Sequence, residues 1–209
     1  MTAEVRPLGL MEAAETIGHH VWFERRGFEI LGSWTTELAD GAVKAMVDRH
    51  AQHCAWRAGQ WWERLPVLSQ VDRDALVVAP TTSAAALVEA IGHLSAPVER
   101  VAGAYRVALP RLAGRYRSHL GRTSPLADGP TIRTLTMLLA DVEADWGEGE
   151  GSLHGLLTTP AETYAAGETV ARLEAILVGG RRGSPGAEAG PFRPSGWGPS
   201  GRSDAEPPG

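Results

Sequence analysis

Apolar side chains recur at steps of three and four along most of this chain, the period of helices laid against a core. From about Gly9 to Ala39 the stripe runs Ile17, Val21, Phe28, Leu31, Leu38 and predicts a first helix. Asp40-Gly41 breaks the pattern, and a second helix is expected from near Ala42 to just before Pro66, with Val43, Met46, Val47, Cys54 and Trp61 on its seam. So short a turn makes the pair an antiparallel hairpin. Leu68 to Pro80 reads as a crossover with room for one helical turn. Thr81, Thr82 or Ser83 caps a third helix reaching about Leu120. Its inward face is Leu87, Ile91, Leu94, Val98, Val101, Tyr105, Leu109, Leu112 and Tyr116, with kinks predicted at Pro97 and Pro110. Asp128-Gly-Pro130 opens a fourth helix with Ile132, Leu135, Leu139, Val142 and Trp146 inward. Gly147 to Gly151 is read as its end, and a shorter fifth helix is expected from about Ala161 to Val178. Apart from a weak candidate around Ala75 to Ala79, no segment alternates with period two. The fold class is therefore all-α: an antiparallel four-helix bundle with one long crossover and a short fifth helix, over residues 1–178.

From Gly179 to Gly209 the sequence is dense in Gly, Pro and Ser, and a disordered tail is expected, with Phe192 and Trp197 as its only anchors. The formal charge of −5 is spread over both signs with no basic stripe, which argues against a nucleic-acid partner. Apolar runs are too short for a membrane span and the N-terminus lacks a signal-peptide pattern, so a soluble cytoplasmic protein is expected. The single cysteine, Cys54, forbids an internal disulfide and reads as a small core residue. One lysine against nineteen arginines suggests a GC-rich bacterial genome.

Polar residues sit where the seams should be apolar. Glu24 falls inside the first stripe; His50, His53 and Arg57 fall inside the second. A buried carboxylate is costly unless paired, protonated or bound to a metal. The i, i+3 spacing puts both imidazoles on one helical face, and counting back from the turn places Glu24 level with residues 53 to 57. Two solutions stand open. Glu24, His50 and His53 ligate one metal ion, or Glu24 pairs with Arg57 in a metal-free polar network that includes Tyr105 or Arg106. The acidic run Asp141, Glu143, Asp145, Glu148, Glu150 reads as a solvated face. His20 is an alternative ligand one turn before Glu24, whereas His93, His119 and His154 read as isolated. Trp56, Trp61 and Trp62 cannot all face one seam, which points to a partner subunit and a homodimer.

This layout resembles the ferritin-like superfamily, in which two helical hairpins hold a dinuclear metal centre. Glu24 matches the carboxylate of that family's first helix. His50-Ala-Gln-His53 is similar to its Glu-x-x-His on the second, with His50 in place of Glu. The segment Asp141-Val-Glu143-Ala-Asp145-Trp146 resembles its fourth helix, with Val142 at the Glu position, Asp145 at the His position, and Tyr105 at the third-helix carboxylate position. The resemblance implies a half-site rather than a dinuclear one. The expectation that follows is a small-molecule-modifying enzyme of bacterial specialised metabolism, its pocket around Glu24, His50, His53 and Tyr105. It is either a non-haem oxidase or oxygenase with iron or manganese on Glu24, His50 and His53, or a metal-free acid/base enzyme using Glu24, His53 and Tyr105. The alternative is a degenerate, non-catalytic scaffold or binding protein.

Overall fold

The computed structural model describes residues 6–67, 69 and 71–182, and the residues of regular structure among them are all helical. Helix α1 (Leu10–Trp34) starts where the Glu12 carboxylate accepts from the Gly9 N–H at 2.8 Å. It stops five residues before the expected Ala39, because the Thr35 and Thr36 hydroxyls donate to the Gly32 and Ser33 carbonyls and close the last turn. Leu38, in the following turn, still packs into the core. Asp40 then caps α2 (Gly41–Arg64), its carboxylate accepting from the N–H groups of Ala42 and Val43 at 2.9 Å each. The two helices form the expected hairpin.

The third helix of the sequence reading is two helices. Thr81 caps α3 (Thr82–Gly92), and residues 93–96 turn the chain before Pro97 opens α4 (Pro97–Ala102) from the first-turn position, where its missing N–H costs nothing. Pro97 is thus a start rather than a kink. The crossover from α2 includes a single 3-10 turn at Asp74–Leu76 and all of α3. Helix α4 runs without interruption through a π-helical segment, Gly103–Ala108, into α5 (Leu109–Arg122). The π segment ends just before Pro110 and rearranges the carbonyls that a regular helix would aim at the proline nitrogen.

Asp128 caps α6 (Gly129–Leu156), which passes through Gly147–Gly151 unbroken. The reason lies at Gly149, where the Tyr105 ring rests on the helix backbone: a Cβ there would lie 1.9 Å from Tyr105 Cδ1. The glycine is a notch for a ring. Helix α7 (Pro160–Arg182) is longer than the expected fifth helix and continues four residues into the stretch read as tail; the rest of that stretch, 183–209, lies outside the described residues.

Two hairpins, α1–α2 and α4/α5–α6, pack together through α2 and α6, while α7 covers α4 and the π segment and α3 packs against α7. One core cluster gathers Leu31, Trp34, Met46, Ile91, Tyr105 and Leu153; a second gathers Ile17, Trp61, Tyr116, Leu135, Leu138 and Val142. Five apolar side chains depart from the expected stripes, among them Val98 and Ile132, which are only half-buried. Phe28 is 46 % exposed, and α6 buries Leu138 and Asp145 where Leu139 and Trp146 were expected, both of which are only half-buried. Trp61 is in the core, Trp62 lies under the guanidiniums of Arg25 and Arg73, and Trp56 stays exposed. Among the described residues, no helix is long and apolar enough to cross a membrane.

Candidate functional site

The buried polar residues join at the seam between the hairpins, and Arg57 is their centre. Its side chain, wholly buried on α2, donates from Nε to Glu24 Oε1 at 2.7 Å and from Nη1 to Asp141 Oδ2 at 2.6 Å and Asp145 Oδ2 at 2.7 Å. Nη2 donates to the Cys54 sulfur at 3.2 Å. Burial alone would weaken the guanidinium's hold on its proton, but Glu24, Cys54 and Asp145 together outweigh it and the pKa is raised. The ion pair across the first hairpin is therefore present. Glu24 Oε1 also accepts from the Tyr116 hydroxyl at 2.6 Å, and that hydroxyl itself accepts from Trp61 Nε1 at 2.6 Å. Burial first, then Glu24, pushes the Tyr116 phenol well above its ordinary value, so it stays a donor.

The two histidines of α2 face a different carboxylate. His53 Nδ1 lies 2.8 Å from Asp145 Oδ1, and His50 Nε2 lies 3.4 Å from the same oxygen. His50 Nε2 is also 3.1 Å from Glu148 Oε2, which Arg49 holds on its other oxygen. On its far side, His50 Nδ1 lies 2.7 Å from the Tyr105 hydroxyl. Burial lowers the pKa of His50, so the neutral imidazole is favoured, with one ring nitrogen a donor and the other an acceptor. The Tyr105 hydroxyl can donate or accept, so it serves either tautomer; burial raises its pKa.

The structure thus brings His50, His53 and Tyr105 together as the sequence suggested, but sends Glu24 to Arg57 and Tyr116. Asp145 takes the place beside the imidazoles. One ligand atom from each of His50, His53 and Asp145 falls within 4.8 Å of the others, a spacing fit for one metal ion. His50 and Asp145 are buried; His53 is about a third exposed and Glu148 about half, so the group opens to solvent along one edge. Four carboxylates (Glu24, Asp141, Asp145, Glu148) meet two guanidiniums (Arg49, Arg57), a formal deficit of two positive charges that a divalent cation would offset. Tyr105 Oη is placed to accept from His50 Nδ1–H, the kind of outer contact that orients a metal-bound imidazole. The donor set fits the ion. The acidic run is mostly engaged rather than free: Glu143 pairs with Arg117, and Glu150 with Arg106.

A second buried pair was not foreseen. His119, expected to be isolated, is only 3 % exposed and lies with Nδ1 3.1 Å from His20 Nε2; His20 Nδ1 and His119 Nε2 have no partner among the described residues. Burial pushes His119 down to about 4 and His20 well below its ordinary value. A histidine whose folded pKa is lowered keeps its native stability above the unfolded value of 6.5 and loses it as the pH falls towards about 4. Urea unfolding at pH 7.5 and 4.5 is expected to show about 2–3 kcal/mol less acid loss in His119→Gln than in the parent protein. An equal loss in both would mean that the pair does not titrate in this range.

No family model, no curated protein and no solved structure matches the chain.

Proposed function

We propose that the protein is a small-molecule-modifying oxidoreductase on a ferritin-like bundle, with one non-haem iron or manganese ion held by His50, His53 and Asp145. The convergence of two imidazoles from one turn of α2 on a buried carboxylate of α6 carries this reading. A bound ion of this kind supplies redox or Lewis-acid chemistry at the coordination positions its three protein ligands leave open. The chain's own residues do the rest. Arg57 holds Asp145 Oδ2 and so fixes which oxygen faces the imidazoles; Tyr105 orients His50; Glu148, on the exposed edge, is placed to hold or pass a proton for a substrate arriving from solvent. In this reading Glu24 is a positioning residue that acts through Arg57, not a ligand.

The competing reading is a degenerate scaffold with no chemistry, and one observation favours it: Arg57 already pairs with the carboxylates of Glu24, Asp141 and Asp145. Elemental analysis after anaerobic loading with Fe(II) or Mn(II) separates the two. About one ion per chain is expected, absent in His53→Ala and retained in Glu24→Gln. Because His53 is partly exposed and, among the described residues, hydrogen-bonds through its side chain to Asp145 alone, its truncation should leave the fold intact. Metal retained in His53→Ala but lost in Glu24→Gln would move the site to Glu24; no metal in the parent protein would leave the scaffold.

A further inference from the structure

Two residues that line an almost wholly apolar cavity between α1, α3 and the α4-to-α5 helix each carry a buried polar atom with no partner among the described residues. Glu24 gives Oε1 to both Arg57 and Tyr116, while among the described residues Oε2, equally buried, is without a hydrogen-bond partner, as is the Nε1–H of Trp34, which is 1 % exposed. Both residues line the same space of about 70 Å³. Buried polar atoms are rarely left without partners, because each costs the hydration it has lost. Here the missing partners are complementary, one a donor and the other an acceptor.

The cavity continues outward. Phe23, Val88, Ile91, Ala108 and Leu112 line both it and a wider groove of about 640 Å³ along α3 and α5, whose outer wall includes Ser83 and Arg115. The charge on the wall favours a cation: Glu24 is the one carboxylate lining the cavity, and its Oε2 takes no part in the bonds that Oε1 makes to Arg57 and Tyr116. The Cys54 thiol on the wall, whose sulfur accepts from Arg57 Nη2, is a weak donor beside Glu24, and an ammonium is the stronger partner for that carboxylate. An anion would meet Glu24 unpaired. A hydrocarbon chain would be covered by Leu31, Ile91 and Ala104.

We propose that this cavity binds an aliphatic amine that carries a neutral acceptor, such as a hydroxyl, further along its chain. The ammonium donates to Glu24 Oε2, the methylenes fill the apolar walls, and the acceptor takes the Trp34 Nε1–H. The site is separate from the metal centre and does not rest on it.

Calorimetric titration of the full chain with linear amino alcohols of increasing length tests this, with n-alkylamines, n-alkanols and alkanoates as comparisons. Amine affinity is expected to rise about fourfold per methylene up to a best length. At that length the amino alcohol should bind about fivefold more tightly than the alkylamine, as a single buried hydrogen bond gives. Trp34→Phe should remove that fivefold advantage and leave the alkylamine unchanged. Ala108→Leu, which narrows the cavity without touching Glu24, should weaken all amines at least tenfold. Saturable binding of none of the amines, alkanoate or alkanol binding as tight as the amine, or a Trp34→Phe loss shared by both amine series would overturn the proposal. Loss of metal binding in His53→Ala with amine binding intact separates this site from the centre at Asp145.

Discussion

Replacing Arg57 with Met is expected to destabilise the protein by about 3–5 kcal/mol, the largest effect of any single polar substitution on the seam. Arg57 is the shared partner of Glu24, Asp141 and Asp145, and two of those three carboxylates are as buried as it is. Methionine has nearly the volume of the arginine stem, so the packing term is small and the loss reports charge left without a partner. The pH dependence identifies the cause. In the variant the orphaned carboxylates prefer to be neutral, their pKa values rise above those of the unfolded chain, and the penalty exists only where the unfolded chain is ionised. The gap to the parent protein should therefore narrow as the pH falls through about 4. Urea unfolding across that range checks it; a gap independent of pH would assign the loss to packing.

Gly149→Ala is expected to cost about 3 kcal/mol, while Gly147→Ala and Gly151→Ala, on the same helix, each stabilise by about 0.5–1 kcal/mol. At Gly149 the added methyl would fall 1.9, 2.2 and 2.4 Å from Cδ1, Cγ and Cε1 of Tyr105. Cγ is the root of the ring, so the clash cannot be relieved by swinging a flexible end; the ring or the helix must move. Either shift pulls the Tyr105 hydroxyl from His50 Nδ1, now 2.7 Å away, and a fall in metal affinity should accompany the fall in stability. A methyl at Gly147 or Gly151 meets nothing within 4 Å. Thermal unfolding of the three variants tests the contrast, and three equal shifts would remove Gly149 from the argument for the site.

Gly149 also shows where the sequence could be read and where it could not. The α1–α2 hairpin was legible from its apolar period and from Asp40, because there the local signals agree with the tertiary contacts. Glycine in a helical pattern has two meanings, a break or a close approach, and only the neighbour on the far helix decides between them. The seam of α6 was misjudged for a related reason. Leu139 and Trp146 are more hydrophobic than Asp145 and Gly149, yet Thr131, Leu135, Leu138, Val142, Asp145, Gly149 and Leu153 are the buried set. That set keeps the three-and-four spacing just as well. An acidic residue continuing such a spacing, opposite an arginine that also falls on a seam, was the available signal. His119 carried none: its partner His20 is 99 residues away, and a lone histidine near a helix end looks the same whether solvent or another imidazole meets it.

Apart from the Arg57 bonds to Glu24 and Cys54 and the Arg100 bond to the Leu94 carbonyl, the buried side-chain hydrogen bonds among the described residues cross from one hairpin to the other. They join Glu24 to Tyr116, Trp61 to Tyr116, His20 to His119, His50 to Tyr105 and Arg57 to Asp145, and with them goes the half-buried bond from Arg57 to Asp141. Two oily helical faces can slide past each other by one turn, about 5.4 Å, and lose little contact area. These faces cannot, because the same slide parts every one of those pairs and strands charge in the core. The polar seam is therefore the ruler of the fold. The chain finds its hairpins by hydrophobic period, and it finds the single alignment of one hairpin on the other by the chemistry that also assembles its site.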